Sequence, residues 1–226
     1  MSSEADLEWP SVATFVRHLT HDLRNHLNGI ELETTLLSDS ITDSEGMESV
    51  ARIREQLHEL AGNLRELSGR FADPSPMPSA ITALDLFLIF QEQAAHIEKL
   101  PGVDWSHTLQ DEHLHVDAGG LARVARELFT NALAFGKGEP LKVTARADTG
   151  KVIYDFREPK SAHVETDRWG YTPFVSTRHG GYGLGLWETR KIVEASGGKI
   201  AHQYRPETKD LSSTLSFPIL QSQTKN

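Results

Sequence analysis

Residues 50–71 read VARIREQLHELAGNLRELSGRF. Val50, Ile53, Leu57, Leu60, Leu64, Leu67 and Phe71 step alternately by three and four, an apolar seam of the coiled-coil kind held over three heptads. Upstream, Val16, Leu19, Leu23, Leu27 and Ile30 make a looser stripe at helical spacing. Between the two runs lies SDSITDSEG, Ser38 to Gly46, a polar turn rich in helix-capping residues. The pattern predicts an antiparallel helical hairpin. Two helices alone have too little core to be stable, because each seam must be buried against something. A dimer with four helices in a bundle satisfies both seams. Packing of the hairpin on the rest of its own chain is the competing solution.

Downstream of the seam comes DPSPMPS, Asp73 to Ser79. Three prolines in five residues cannot continue a helix. This divides the chain into a hairpin over 1–72, a linker over 73–79 and a second domain over 80–226. In that domain Ile81 to Ile97, Leu121 to Phe135 and Leu186 to Ser196 read as helices. The last ends at Gly197-Gly198, a C-cap signal. Val103 to Thr108, His113 to Val116, Leu141 to Ala147, Val152 to Phe156, Ile200 to Tyr204 and Thr214 to Phe217 read as strands, with a turn at Asp148–Gly150. The expected fold is α+β, a two-layer sandwich with helices on one face of a mixed sheet.

Composition narrows the function. The 226 residues carry a net charge of −9 with no Lys/Arg block, which argues against nucleic acid as a partner. The chain has no cysteine, so neither a disulfide nor a thiolate metal site is possible. The first residues, MSSEADLEWP, lack the basic and apolar regions of a signal peptide. Apolar runs such as Leu86 to Phe90 are too short to span a bilayer. The expectation is a soluble, cytoplasmic protein without membrane insertion.

Three stretches carry chemistry. Gly180 to Leu186, GGYGLGL, directly precedes a helix. Glycines at 181, 183 and 185 let backbone approach a ligand, and a helix N-terminus beside them suits a polyphosphate. In RELFTNAL, Arg126 to Leu133, Glu127 and Asn131 lie four apart on one helical face. A carboxylate and an amide stacked there suit magnesium held jointly with phosphate oxygens. In HDLRN, His21 to Asn25, His21 points away from the apolar stripe. A neutral imidazole has a free ring nitrogen as nucleophile. Asp22 can accept a proton or hold the ring tautomer, and Asn25, one turn on, can orient a water against a phosphorylated aspartate of a partner. The competing chemistry is a metal site at His18, His21 and Asp22 or at His113 and His115, which no supporting ligand pattern accompanies.

Together these stretches resemble the catalytic core of two-component sensor histidine kinases, from about His18 to Pro218. HDLRN is similar to the phospho-acceptor box and RELFTNAL to the asparagine box. TPFVSTR, Thr172 to Arg178, is similar to the phenylalanine box of the nucleotide lid, and GYGLGL to the second glycine box. The resemblance implies the ATP-binding fold shared with gyrase, chaperone and mismatch-repair ATPases. It implies ATP and Mg2+ as cofactors, with Asn131 as magnesium ligand and Glu127 at the phosphates. Thr177, Arg178, Gly181, Gly183, Leu184 and Gly185 would line the nucleotide, and Asp155 would meet the adenine amino group. The pattern Asp22 to Asn25 implies phosphatase ability. The implied partners are a second copy of the chain and a response-regulator receiver domain. Departures are equally plain: the first glycine box reads YDFREPK, with Arg157 and Glu158 where glycines are expected. Ala134 and Phe135 stand where the family has a lysine, and His26 where it has a proline. The implied function is a kinase that phosphorylates His21 from ATP and passes the phosphate to a receiver aspartate. The alternatives are a histidine phosphotransferase with a degenerate ATPase domain and a non-catalytic dimeric scaffold.

Overall fold

In a computed structural model, residues 9–71, 75–174 and 183–220 are described, with only the backbone given for 9–11, 66 and 70. The chain divides into two compact units, Met1–Asp73 and Pro74–Asn226.

The first unit is a pair of helices, α1 (Trp9–Ser40) and α2 (Ser44–Phe71). The connection is shorter than the expected turn over Ser38–Gly46. Ser40 stays helical by bonding its hydroxyl to the Leu37 carbonyl at 2.9 Å. Asp43 then caps α2, its carboxylate accepting from the Gly46 amide at 2.7 Å. The buried row of α1 is Ala13, Thr20, Leu27 and Thr34, spaced by seven. Thr20 satisfies its hydroxyl on the Val16 carbonyl at 2.8 Å and Thr34 on the Glu31 carbonyl at 2.8 Å. On α2 the buried residues are Val50, Leu64 and Phe71. The stripe read from the sequence is therefore only partly interior: Leu19, Leu23 and Ile30 of α1 and Ile53 and Leu60 of α2 are exposed. No described helix is long and apolar enough to cross a membrane.

The second unit is a mixed α+β sandwich. Its five-stranded sheet has the order β2-β4-β5-β7-β6. The strands are β2 (Val103–His107), β4 (Leu141–Asp148), β5 (Lys151–Pro159), β6 (Lys199–Arg205) and β7 (Asp210–Pro218). Only β2 and β4 pair in parallel. A separate antiparallel pair joins β1 (Ser79–Thr82) to β3 (His113–Val116). Three helices, α3 (Ala83–Ala95), α4 (Ala118–Phe135) and α5 (Gly185–Ala195), contribute buried residues to one core. Phe90 of α3 meets Tyr154 and Phe156 of β5 at 5.2 and 5.6 Å between ring centres, and Phe129 of α4 meets Phe156 at 5.5 Å. These contacts fix the face of β5 turned to the helices as Val152, Tyr154, Phe156 and Glu158, because side chains alternate along a strand.

Several boundaries differ from the sequence reading: β7 begins at Asp210 rather than Thr214 and α4 at Ala118 rather than Leu121. The helix expected from Ile81 begins at Ala83, because residues 79–82 pair with β3 and Thr82 caps α3, accepting from the Asp85 amide at 3.0 Å. Strand β5 runs on to Pro159 rather than stopping at Phe156, held by β7 through the pairs Arg157–Ser212 and Glu158–Leu211. Gly197, at φ +74°, ends α5 as its position suggests.

Candidate functional site

Helix α4 begins at Asp117, whose carboxylate accepts from the Gly120 amide at 3.0 Å. It buries Leu121, Val124, Ala125, Leu128, Phe129 and Ala132. This orientation leaves Glu127 and Asn131 half-buried at the edge of the packed face. Asn131 donates from Nδ2 to Glu127 Oε1 at 3.3 Å, which leaves its Oδ1 as the atom suited to a metal. The start of α5 reaches the same place. A Cβ added to Gly185 would lie 1.9 Å from Glu127 Oε1, so bare backbone touches the carboxylate. Gly183 adopts φ +66°, and its carbonyl accepts from the Phe174 amide at 3.0 Å. Leu184 is buried at the N-cap of α5, with no side chain capping the first turn. The dipole and first-turn amides of such a helix start favour an anion. Arg123 and Glu188 tie α4 to α5 at 3.6 Å, and the Arg190 guanidinium lies 3.5 Å over the ring of Tyr171.

Thus Glu127, Asn131, Gly183, Leu184 and Gly185 gather around the facing parts of α4 and α5. Thr177, Arg178 and Gly181 lie outside the described residues. Asp155 does not join them. It sits on β5 with side-chain parity opposite to Phe156, so it projects from the sheet face away from α4. There its carboxylate accepts from Ser212, from Thr214 at 3.1 Å and from Arg157 Nε at 2.7 Å. Burial pushes this carboxyl up, but the bonds from Ser212 and Arg157, the Arg157 charge and the Thr214 bond outweigh it and hold the group below the ordinary aspartate value. The structure thus does not bring Asp155, expected to meet adenine, to the face of Glu127 and Asn131; Arg157 is its companion on the opposite face.

The acid on the helix-facing side is Glu158. It is 8 % exposed and bonds the ammonium of Lys160, itself 5 % exposed. Lys160 also donates to the Phe135 carbonyl at the end of α4, at 3.2 Å. A Cβ on Gly136 would lie 3.1 Å from Glu158 Oε1, which shows how closely the helix end covers the carboxylate. Burial pushes the Glu158 carboxyl up, and the bond and charge of Lys160 oppose that shift. Sequence reading missed Glu158 and Lys160, although strand parity held the signal: the apolar positions 152, 154 and 156 continue to 158, not to 155.

In the hairpin, His21 and Asp22 are both highly exposed, with His21 Nδ1 3.3 Å from Asp22 Oδ1. With the proton on Nδ1 this contact is a hydrogen bond to the carboxylate, and the lone pair is left on Nε2. Asn25 Nδ2 lies 3.4 Å from the same Nδ1. His26 donates from Nδ1 to the Asp22 carbonyl at 2.8 Å, bracing the turn that carries the group. Among the described residues no three His, Asp or Glu side chains are arranged to hold a metal.

Residues 116–221 match the family described as histidine kinase-, DNA gyrase B-, and HSP90-like ATPase. The sensory histidine kinase/phosphatase NtrB of Klebsiella oxytoca is 26% identical over 208 residues, covering 82% of this chain and 56% of NtrB. The sensor histidine kinase MtrB of Mycolicibacterium paratuberculosis is 24% identical over 189 residues, covering 76% of this chain and 33% of MtrB. The chain thus spans only part of the length of these relatives. Among solved structures, full-length ShkA in complex with AMPPNP superposes with a TM-score of 0.66 at 20% identity, over 92% of this chain and 46% of ShkA. That likeness is one of fold.

Proposed function

We propose that this chain, which has the ATPase core of a sensor histidine kinase, transfers the γ-phosphate of ATP to His21 and then to an aspartate of a receiver domain. The observation that carries the reading is the contact of the Gly185 backbone with Glu127, to which Asn131 is bonded. It joins the glycine loop, a helix N-terminus, a carboxylate and an amide in one place. The phosphates of ATP would lie at the start of α5, taking its backbone amides, with Gly183 giving the loop its turn. Asn131 Oδ1 would hold Mg2+, with Glu127 beside it; the ion supplies neutralisation of phosphate charge. The base would lie further along α4, toward Phe135 and Glu158.

His21 Nε2 is the nucleophile in this reading. It attacks the γ-phosphorus, a nitrogen–phosphorus bond forms, and the bond to the bridging oxygen of ADP breaks. The ring then carries positive charge, which Asp22 at Nδ1 stabilises. Transfer to a receiver aspartate reverses the roles at nitrogen. Asn25 would orient a water for hydrolysis of the aspartyl phosphate, and the related NtrB is named both kinase and phosphatase. The exposed leucines and isoleucines of the hairpin support a homodimer.

The test is incubation of the full chain with γ-labelled ATP and Mg2+. The expected product carries acid-labile, base-stable label that disappears in His21→Gln. Label retained in that variant, or found on His26, overturns the assignment.

A further inference from the structure

The end of the site that would receive the base already holds a side chain. A lysine just past the end of a strand ordinarily lays its stem on the surface and keeps its ammonium in water. Lys160 does the opposite. It is 5 % exposed and directs its ammonium to the Glu158 carboxylate and to the Phe135 carbonyl. Phe135 is the last residue of α4, where unpaired carbonyls and the helix dipole favour a cation. Three sources of negative potential thus converge on one buried ammonium.

This place is continuous with the ligand side of α4. Glu127, Asn131 and Phe135 follow one another by one turn each, so they mark a row along the helix about 12 Å long. Its Glu127 end meets the glycine backbone, and its Phe135 end meets Lys160. A nucleoside triphosphate with its phosphates at the first end extends its base toward the second. The carboxylate there, Glu158, accepts hydrogen bonds, which suits an exocyclic amino group such as that of adenine. The acceptor is taken by Lys160, and Gly136 packs too closely against it to leave room behind.

We infer that Lys160 is an internal occupant of the base subsite, and that a nucleotide binds by exchanging its amino group for the Lys160 ammonium on Glu158. The inference rests on the reading of this unit as an ATP site. Lys160 thereby sets nucleotide affinity: each binding event must first break a buried ion pair and move the ammonium to water. It also sets base preference, since only a donor to the carboxylate compensates Glu158 once the ammonium leaves.

The experiment titrates the full chain with AMPPNP and Mg2+ by calorimetry, in the native form and as Lys160→Ala. In parallel, acylation of Lys160 in the native chain is followed by mass spectrometry with and without millimolar AMPPNP. The expected results are binding about tenfold tighter in the variant, slow acylation of free protein, and faster acylation with nucleotide. Equal or weaker binding by Lys160→Ala overturns the inference while leaving the ATP site intact. Acylation that nucleotide does not accelerate overturns it as well, and this arm decides alone if circular dichroism shows the variant unfolded. Nucleotide binding by neither form overturns both the inference and the ATP-site reading.

Discussion

His202 shows how a single residue ties stability to pH. On β6 it bonds Ser213 Oγ through Nδ1 at 2.9 Å, with the Trp169 ring 5.6 Å away. Its Nε2 is buried and has no hydrogen-bond partner among the described residues. Burial lowers its pKa to about 4. The unfolded chain takes up this proton near pH 6.5 and the folded chain only near 4. Stability therefore falls as pH drops from about 6.5 to about 4, by at most roughly 3 kcal/mol, and falls no further through this group. Asp155 acts in a lower window, since its depressed pKa gives stability that is lost only as pH falls below the ordinary aspartate value. Urea unfolding at pH 7 and pH 5 separates the two. Native protein should lose stability between these values and His202→Gln should lose much less; an equal loss in both removes His202 from the account. At this scale the sequence was legible where a residue's placement follows from its neighbours along one helix, as for Glu127 and Asn131, which meet at 3.3 Å. It was illegible for Asp155, whose acidic character drew attention while strand parity sent its side chain to the opposite face.

Between elements, the two glycines Gly185 and Gly198 make a paired test. An added Cβ at Gly185 meets the tip of Glu127, a flexible side chain that can swing away. At Gly198 it meets the Phe217 ring at 2.3 Å and the Ser216 carbonyl at 2.9 Å, neither of which can move without disturbing the sheet. Gly185→Ala should change unfolding free energy by less than about 1 kcal/mol while weakening AMPPNP binding about tenfold or more. Gly198→Ala should cost about 1–3 kcal/mol, with binding by the folded fraction unchanged. Calorimetry beside thermal melts checks both, and a Gly185→Ala chain that binds like the native one sinks the contact with Glu127 as a site feature. Element order was largely readable because helix and strand periods differ. The β1–α3 junction was not, because Ile81 fits either period and only the partner strand β3, distant in sequence, decides it. On α1 the periodicity contained two heptad rows. The one that packs on α2 carries Ala13, Thr20, Leu27 and Thr34, whose alanine and threonines let the helices approach, rather than the leucines at 19 and 23.

For the molecule as a whole, those exposed leucines are the basis of the proposed dimer. The hairpin leaves Leu19, Leu23 and Ile30 of α1 and Ile53 and Leu60 of α2 open to solvent, Leu60 at 48 %. Apolar rows of this extent on a two-helix unit point to a partner surface, and a second hairpin supplies one with matching heptad spacing. The compact second unit has a buried core of its own. Dimerisation and nucleotide binding should therefore separate under mutation. Leu60→Asp would place a charge in the proposed hairpin–hairpin contact at a cost of several kcal/mol. A loss of about 4 kcal/mol weakens association roughly a thousandfold. Light scattering on the native chain should give twice the mass of one chain at micromolar concentration, and Leu60→Asp should give a single chain with its AMPPNP affinity retained. Transfer of label to His21 in that variant then tells whether phosphate moves within a chain or between the two chains of the dimer: retention means within, loss means between. A native chain that scatters as a monomer at tens of micromolar, or a Leu60→Asp chain that stays dimeric, removes the four-helix bundle and returns the exposed rows to another surface.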